Sequence, residues 1–208
     1  MAKTVMKSKT PKPLRAKLVT AALKEIRSGG AHKLSLRKVA EVAGCTPMAT
    51  YRHFASKEAL IAEIAREGFI HLKSEMTEAM KAHPENALMQ IESAGQRYIH
   101  MAMSRSEHLL MMFGGFIKDH DQFKELKTAG DAAFFSLVDL MKYCQQQKVL
   151  PVSDPIKQAV SAWSIVHGFS MLLINGNLEF LGINLKNCED QAKFVSKAIL
   201  QGLENQKE

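Results

Sequence analysis

Between Ser35 and Ser56 the chain is punctuated so closely that only short helices fit. Ser35 is a good helix N-cap, because its hydroxyl can accept from an unpaired backbone N–H of the first turn. The apolar positions that follow, Leu36, Val39, Ala40 and Ala43, lie at i, i+3, i+4 and i+7, one face of a helix. Gly44 ends that helix after little more than two turns, since glycine takes the left-handed cap conformation readily. Thr46 can cap a new helix with Pro47 at its first position, where a missing N–H costs nothing. That helix runs only to about Phe54, because Ala55-Ser56 break it and Ser56 caps the next one. Two short helices joined by a tight turn have helix-turn-helix geometry. A two-turn second helix suits a DNA major groove roughly 12 Å wide, where its first residues reach base edges.

Charge points the same way. The net charge is +7, but residues 1–60 carry 13 Lys and Arg against three acids, Glu25, Glu41 and Glu58. The remaining residues carry 15 Lys and Arg against 18 acids. A basic head on a slightly acidic body suits a polyanion that meets the head only. Residues 42–57 hold no acid at all, so the positive end of the second short helix faces no competing carboxylate. Phosphates would find Tyr51, Arg52, His53 and Lys57 beside it. Residues 1–13, with four lysines, Pro11 and Pro13, read as a basic disordered tail.

Helical periodicity runs through the rest of the chain, and no stretch alternates with period two. A first helix covers about Leu14 to Ser28, with Leu14, Leu18, Ala21, Ala22 and Ile26 on one face and Gly29-Gly30 as its stop. After the two short helices, further helices are expected near Ser56–Lys81, Glu85–Ser104, Ser106–Phe116, Asp121–Gln147, Ile156–Asn175 and Asp190–Leu203. The expected fold is all-α with about nine helices. A three-helix head spans 14–58, and a larger helical body spans 59–208.

The segment from Leu36 to Leu60 resembles the N-terminal domain of TetR-family transcriptional regulators. Val39-Ala40, Ala43-Gly44, Tyr51-Arg52-His53-Phe54 and Ser56-Lys57-Glu58-Ala59-Leu60 carry the resemblance. That segment is the core of a match of about 45 residues without a gap, which lies near the N-terminus, as in the family. The resemblance implies that Thr46 caps the recognition helix and can hold a phosphate. Pro47, Met48 and Ala49 would face the groove, and Tyr51 and His53 would contact phosphates. Lys57 would clamp one, Arg37 and Arg52 would add DNA contacts, and Phe54 would be core. Two positions depart from the family pattern. Thr50 stands where a large aliphatic is usual; it should face inward, its hydroxyl bonded to a carbonyl one turn back. Cys45 stands for an apolar residue, as a small turn residue in the core.

For the body, Trp163-Ser-Ile-Val-His167-Gly168 resembles the Trp-x-x-x-His-Gly segment of one TetR subgroup. The family implies ligand binding and dimerisation there. Met101, Met103, Met111 and Met112 cluster with Tyr98, Phe113 and Phe116 in the sequence, and methionine suits adaptable apolar surfaces. A lining of Phe69, Tyr98, Met101, Met112, Phe113, Phe116, Phe134, Trp163 and His167 would take a small apolar or aromatic ligand. The last two helices would pair two copies in a four-helix bundle through Trp163, Val166, Phe169, Phe194 and Ile199. The implied function is a bacterial repressor that binds a palindromic double-stranded operator as a homodimer and leaves it when ligand binds.

Two other classes compete, a sequence-tolerant architectural DNA binder and a helical enzyme with an unrecognised site. The first lacks a use for a large near-neutral body. For the second, there is no Gly-rich phosphate loop, G-x-S-x-G, H-E-x-x-H or paired Cys/His spacing, so no catalytic residue, cofactor or metal is expected. Three well-separated cysteines, Cys45, Cys144 and Cys188, suit a reducing cytoplasm. Lys17 and Lys24 interrupt the one stretch that could serve as a signal sequence. The longest apolar run, Leu109 to Ile117, is about half of a membrane span.

Overall fold

The computed structural model describes residues 13–204. The expected basic tail, 1–13, lies outside these apart from Pro13. Nine α-helices and no strand occur among the described residues: α1 Leu14–Gly29, α2 Leu36–Ala43, α3 Pro47–His53, α4 Lys57–Ala82, α5 Ala87–Ser104, α6 Ser106–Phe113, α7 Lys124–Gln146, α8 Pro155–Ile174 and α9 Glu189–Glu204. Chain contacts divide the molecule into two units, one ending at Ile61 and the other starting at Ala62. No helix among the described residues is long and apolar enough to cross a membrane.

In the first unit α1 packs on α2, and α2 on α3. The core holds Leu18, Val19, Ala22 and Ile26 of α1 with Leu36, Val39 and Ala40 of α2. Local chemistry sets the helix ends. Ser35 Oγ accepts from Lys38 N at 3.2 Å, and Thr46 Oγ1 from Ala49 N at 3.2 Å. Gly44 sits at φ +69°, and the N–H groups of Gly44 and Cys45 return to Glu41 and Ala40 carbonyls. This is a Schellman stop, and it sets the tight turn between α2 and α3.

In the second unit α5 packs against α6, α7, α8 and α9, while α8 also meets α7 and α9. Its buried side chains include Ile64, Ile91, Ile99, Leu109, Met111, Leu140, Met141 and Leu203. Two boundaries of the body differ from the sequence expectation by a full three residues, the others by two or fewer. Helix α6 stops at Phe113, not Phe116, because Gly115 turns the chain at φ +71°. Phe116 therefore lies beyond the helix, with its ring folded back against Gly114. Helix α7 starts at Lys124, not Asp121, because Asp119 accepts from Asp121 N and closes a 3-10 turn over His120–Gln122.

Candidate functional site

Helix α3 is held from inside and open outside. Thr50 and Phe54 are buried. Thr46, Pro47, Met48, Tyr51, Arg52 and His53 are exposed, Met48 by 67%, and Ala49 is half-buried. A thioether and a phenol thus stand in water on one two-turn helix. Arg37 is also exposed, one residue into α2.

The supports of α3 were only partly visible in the sequence. Thr50 does face inward, but its hydroxyl meets Cys45 Sγ at 3.6 Å rather than a carbonyl one turn back. Cys45 is accordingly half-buried, not deep in the core. Arg15 was missed altogether. Its guanidinium donates to the His53 carbonyl at 3.2 Å and stacks over the Phe54 ring at 4.5 Å. That satisfies an end carbonyl of α3 and adds a cation–π contact. Lys57 is half-buried, and its ammonium donates to the His32 carbonyl at 3.0 Å, tying the α1–α2 loop to the start of α4. An ammonium carries three protons, so this bond leaves two for a phosphate.

The second unit holds a cavity of about 230 Å³ that is open on part of its surface. Phe69, Leu72 and Met76 come from α4, Ile91, Ala94, Gly95 and Tyr98 from α5, and Phe113 from α6. Gly130, Ala133, Phe134 and Leu137 of α7, Ala162, Trp163 and Val166 of α8, and Ile199 of α9 complete the wall. Edge-to-face and tilted rings frame it: Phe69 to Phe113 at 5.5 Å, Phe113 to Trp163 at 5.4 Å and Phe134 to Trp163 at 6.3 Å between centroids. His167 stands behind the wall with Nδ1 2.8 Å from the Tyr98 hydroxyl, and Trp163 Nε1–H donates to that same oxygen at 3.3 Å. Burial lowers the His167 pKa, so the ring is neutral near pH 7.

The wall thus joins Phe69, Tyr98, Phe113, Phe134 and Trp163 from the expected lining. It does not include Met101, Met112 or Phe116. Met101 and Met112 are buried in packed regions, Met112 with its sulfur over Gly68. Nearness along the chain misled here, because the Tyr98–Phe116 stretch turns through two helices and a glycine break. The small residues Gly95, Gly130, Ala133 and Ala162 went unread, although they are what leaves the space empty.

The expected pairing residues separate too. Val166 and Ile199 are only 4% and 2% exposed and line the cavity, and Trp163 is in its wall. Val166 and Ile199 face inward and cannot form a surface, and Trp163 is half-buried. Phe169 is half-buried, whereas Phe194 is 75% exposed. On α8 the open apolar stripe is Ile156, Val160 and Leu172, with the small Ser164 and Gly168 between them at i+4 spacing. The sequence pattern could not choose between faces, since α8 is apolar on nearly all sides.

The sequence profile of bacterial regulatory proteins, tetR family, matches residues 18–64. That of the tetracyclin repressor-like C-terminal domain matches residues 91–190. The chain belongs to the TetR family. It is a TetR-family transcriptional regulator with a helix-turn-helix of the DNA-binding kind. Solved TetR-like structures share its fold. A protein of unknown function from Rhodococcus sp. RHA1 superposes with a TM-score of 0.79 at 23% identity, over 96% of this chain and 100% of that one. The TetR-family regulator PfmR of Thermus thermophilus gives 0.71 at 17% identity, over 90% and 99%. The fatty acid degradation regulator FadR of Bacillus halodurans gives 0.72 at 14% identity, over 94% and 98%. No curated protein matches the chain.

Proposed function

We propose that this TetR-family regulator is a repressor that binds a palindromic operator as a homodimer and releases it when a small apolar or aromatic molecule enters the cavity. The observation that carries the DNA half is α3, with Met48, Tyr51, Arg52 and His53 exposed around buried Thr50 and Phe54. Arg37, Thr46, Pro47 and Ala49 extend that face, and Lys57 supplies a cation beside it. The apolar cavity supports the ligand half, and the open stripe of α8 with Phe194 supports pairing. Residues 14–58 then form the DNA-binding domain and 59–208 the sensing and pairing domain, and the protein works in the cytoplasm.

Selection from random duplex DNA tests the reading directly. The expected product is a palindrome whose half-sites lie about 34 Å apart, one helical turn. Recovery of unrelated sequences with equal affinity would instead show an architectural binder.

The phosphate contacts have a separate signature. Tyr51→Ala should weaken binding about tenfold on specific and random DNA alike, because phosphate contacts carry no base information. Lys57→Ala should also flatten the plot of log K against log salt by about one unit. Gel-shift titrations at several salt concentrations give both values. Native affinity in both variants would remove these residues from the interface.

A further inference from the structure

We infer that the cavity selects a neutral aromatic molecule of about nine or ten heavy atoms, carrying at most one hydroxyl or N–H group, and excludes carboxylates of the same shape. This deepens the ligand half of the proposed function and rests on it.

Size comes first. An apolar cavity of about 150 Å³ takes benzene. The present cavity is about 230 Å³. Scaling by volume allows about nine or ten heavy atoms inside the walls. Phe69, Phe113, Phe134 and Trp163 offer ring faces and edges that favour an aromatic guest.

Charge comes next. No wall residue is ionised near neutral pH. A carboxylate entering there would lose its water and meet no cation, a large penalty for an unpaired ion. His167 is neutral and not part of the wall, to which it is tied by its bond to Tyr98.

The polar end is more specific still. Among the wall side chains only Tyr98 and Trp163 carry an oxygen or nitrogen. Trp163 N–H already donates to the Tyr98 oxygen. We assign the Tyr98 hydroxyl proton to His167 Nδ1, because only that tautomer gives the hydroxyl hydrogen an acceptor. One lone pair of the Tyr98 oxygen is left. It can accept one hydrogen bond and donate none, so it pairs with a hydroxyl or N–H and not with a carbonyl or carboxylate.

Trp163 is the only tryptophan in the chain, so its emission reports the cavity in the intact protein. The test titrates three probes with one carbon skeleton: n-propylbenzene, 3-phenylpropan-1-ol and 3-phenylpropionate, near neutral pH. The two neutral probes should change Trp163 emission with Kd values about tenfold or more below that of the carboxylate. In Tyr98→Phe the alcohol should lose affinity several-fold while propylbenzene keeps its own. The wild-type ranking stands as a test even if that variant folds poorly.

Equal or tighter binding of the carboxylate overturns the inference, as does silence of all three probes. Equal losses for alcohol and hydrocarbon in Tyr98→Phe overturn the hydroxyl assignment. Adding operator DNA keeps the two readings apart. Neutral probes that saturate Trp163 without releasing DNA leave the ligand class standing and sink the release mechanism. Release by the carboxylate does the reverse.

Discussion

A protein carrying Val160→Glu and Phe194→Glu should run as a monomer and bind operator about a hundredfold to ten-thousandfold more weakly than the parent. Both side chains are exposed on the single chain, so the fold should tolerate the change, as surface substitutions generally do. In a two-fold dimer through this face each substitution occurs twice. The new carboxylates would have to shed water against Ile156 and Leu172 or against each other, which costs several kcal/mol per buried ion. Losing the dimer also removes the gain from holding two heads on one DNA, which is a factor of about 10² to 10⁴. Light scattering and gel shift read the two effects, and Trp163 emission checks that the cavity survives. A dimer of unchanged mass would rule out this face. Deleting residues 156–208 is a poorer test, because α8 and α9 also wall the cavity and pack on α5.

The second large effect lies in the head. Leu18 is completely buried where α1 meets α2. Leu18→Ala should cost about 2–5 kcal/mol, the loss of transfer energy plus the hole left behind. A unit whose described part ends at Ile61 is small, buries a smaller fraction of its surface than a larger domain does, and has little stability to spare. Operator binding should therefore disappear at moderate temperature with part of the helical circular dichroism. Trp163 lies in the other unit, so its emission should keep its own transition. Full DNA affinity with an unshifted melting curve would show that Leu18 is not part of the head's core.

These contrasts show where sequence reading works. The head was legible because its instructions are local: Ser35 and Thr46 cap, Gly44 reverses the chain, and Pro47 starts the next helix within a few residues. Arg15 was not legible, since its partners His53 and Phe54 lie more than ten helical turns of chain away and nothing nearby marks the pairing. The aromatic part of the cavity could be named from residue type. Its emptiness could not, because a void is set by how six helices meet, and Gly130 or Ala162 alone reads as an ordinary helix residue. The helix was expected to reach Phe116, but the left-handed φ at Gly115 cut it short and carried Phe116 away from the wall.

Helix α8 has two working faces. Trp163 and Val166 look into the cavity, while Ile156, Val160 and Leu172 look out. If the outer face pairs with a second copy, anything that shifts this helix from within also changes how well it pairs. Free energy then runs both ways: the factor by which the small molecule weakens or strengthens pairing is the factor by which pairing alters its affinity. The sensitivity of the response would depend on how much of the regulator is present, so that a cell could retune its threshold by expression level alone, with no change in the binding site.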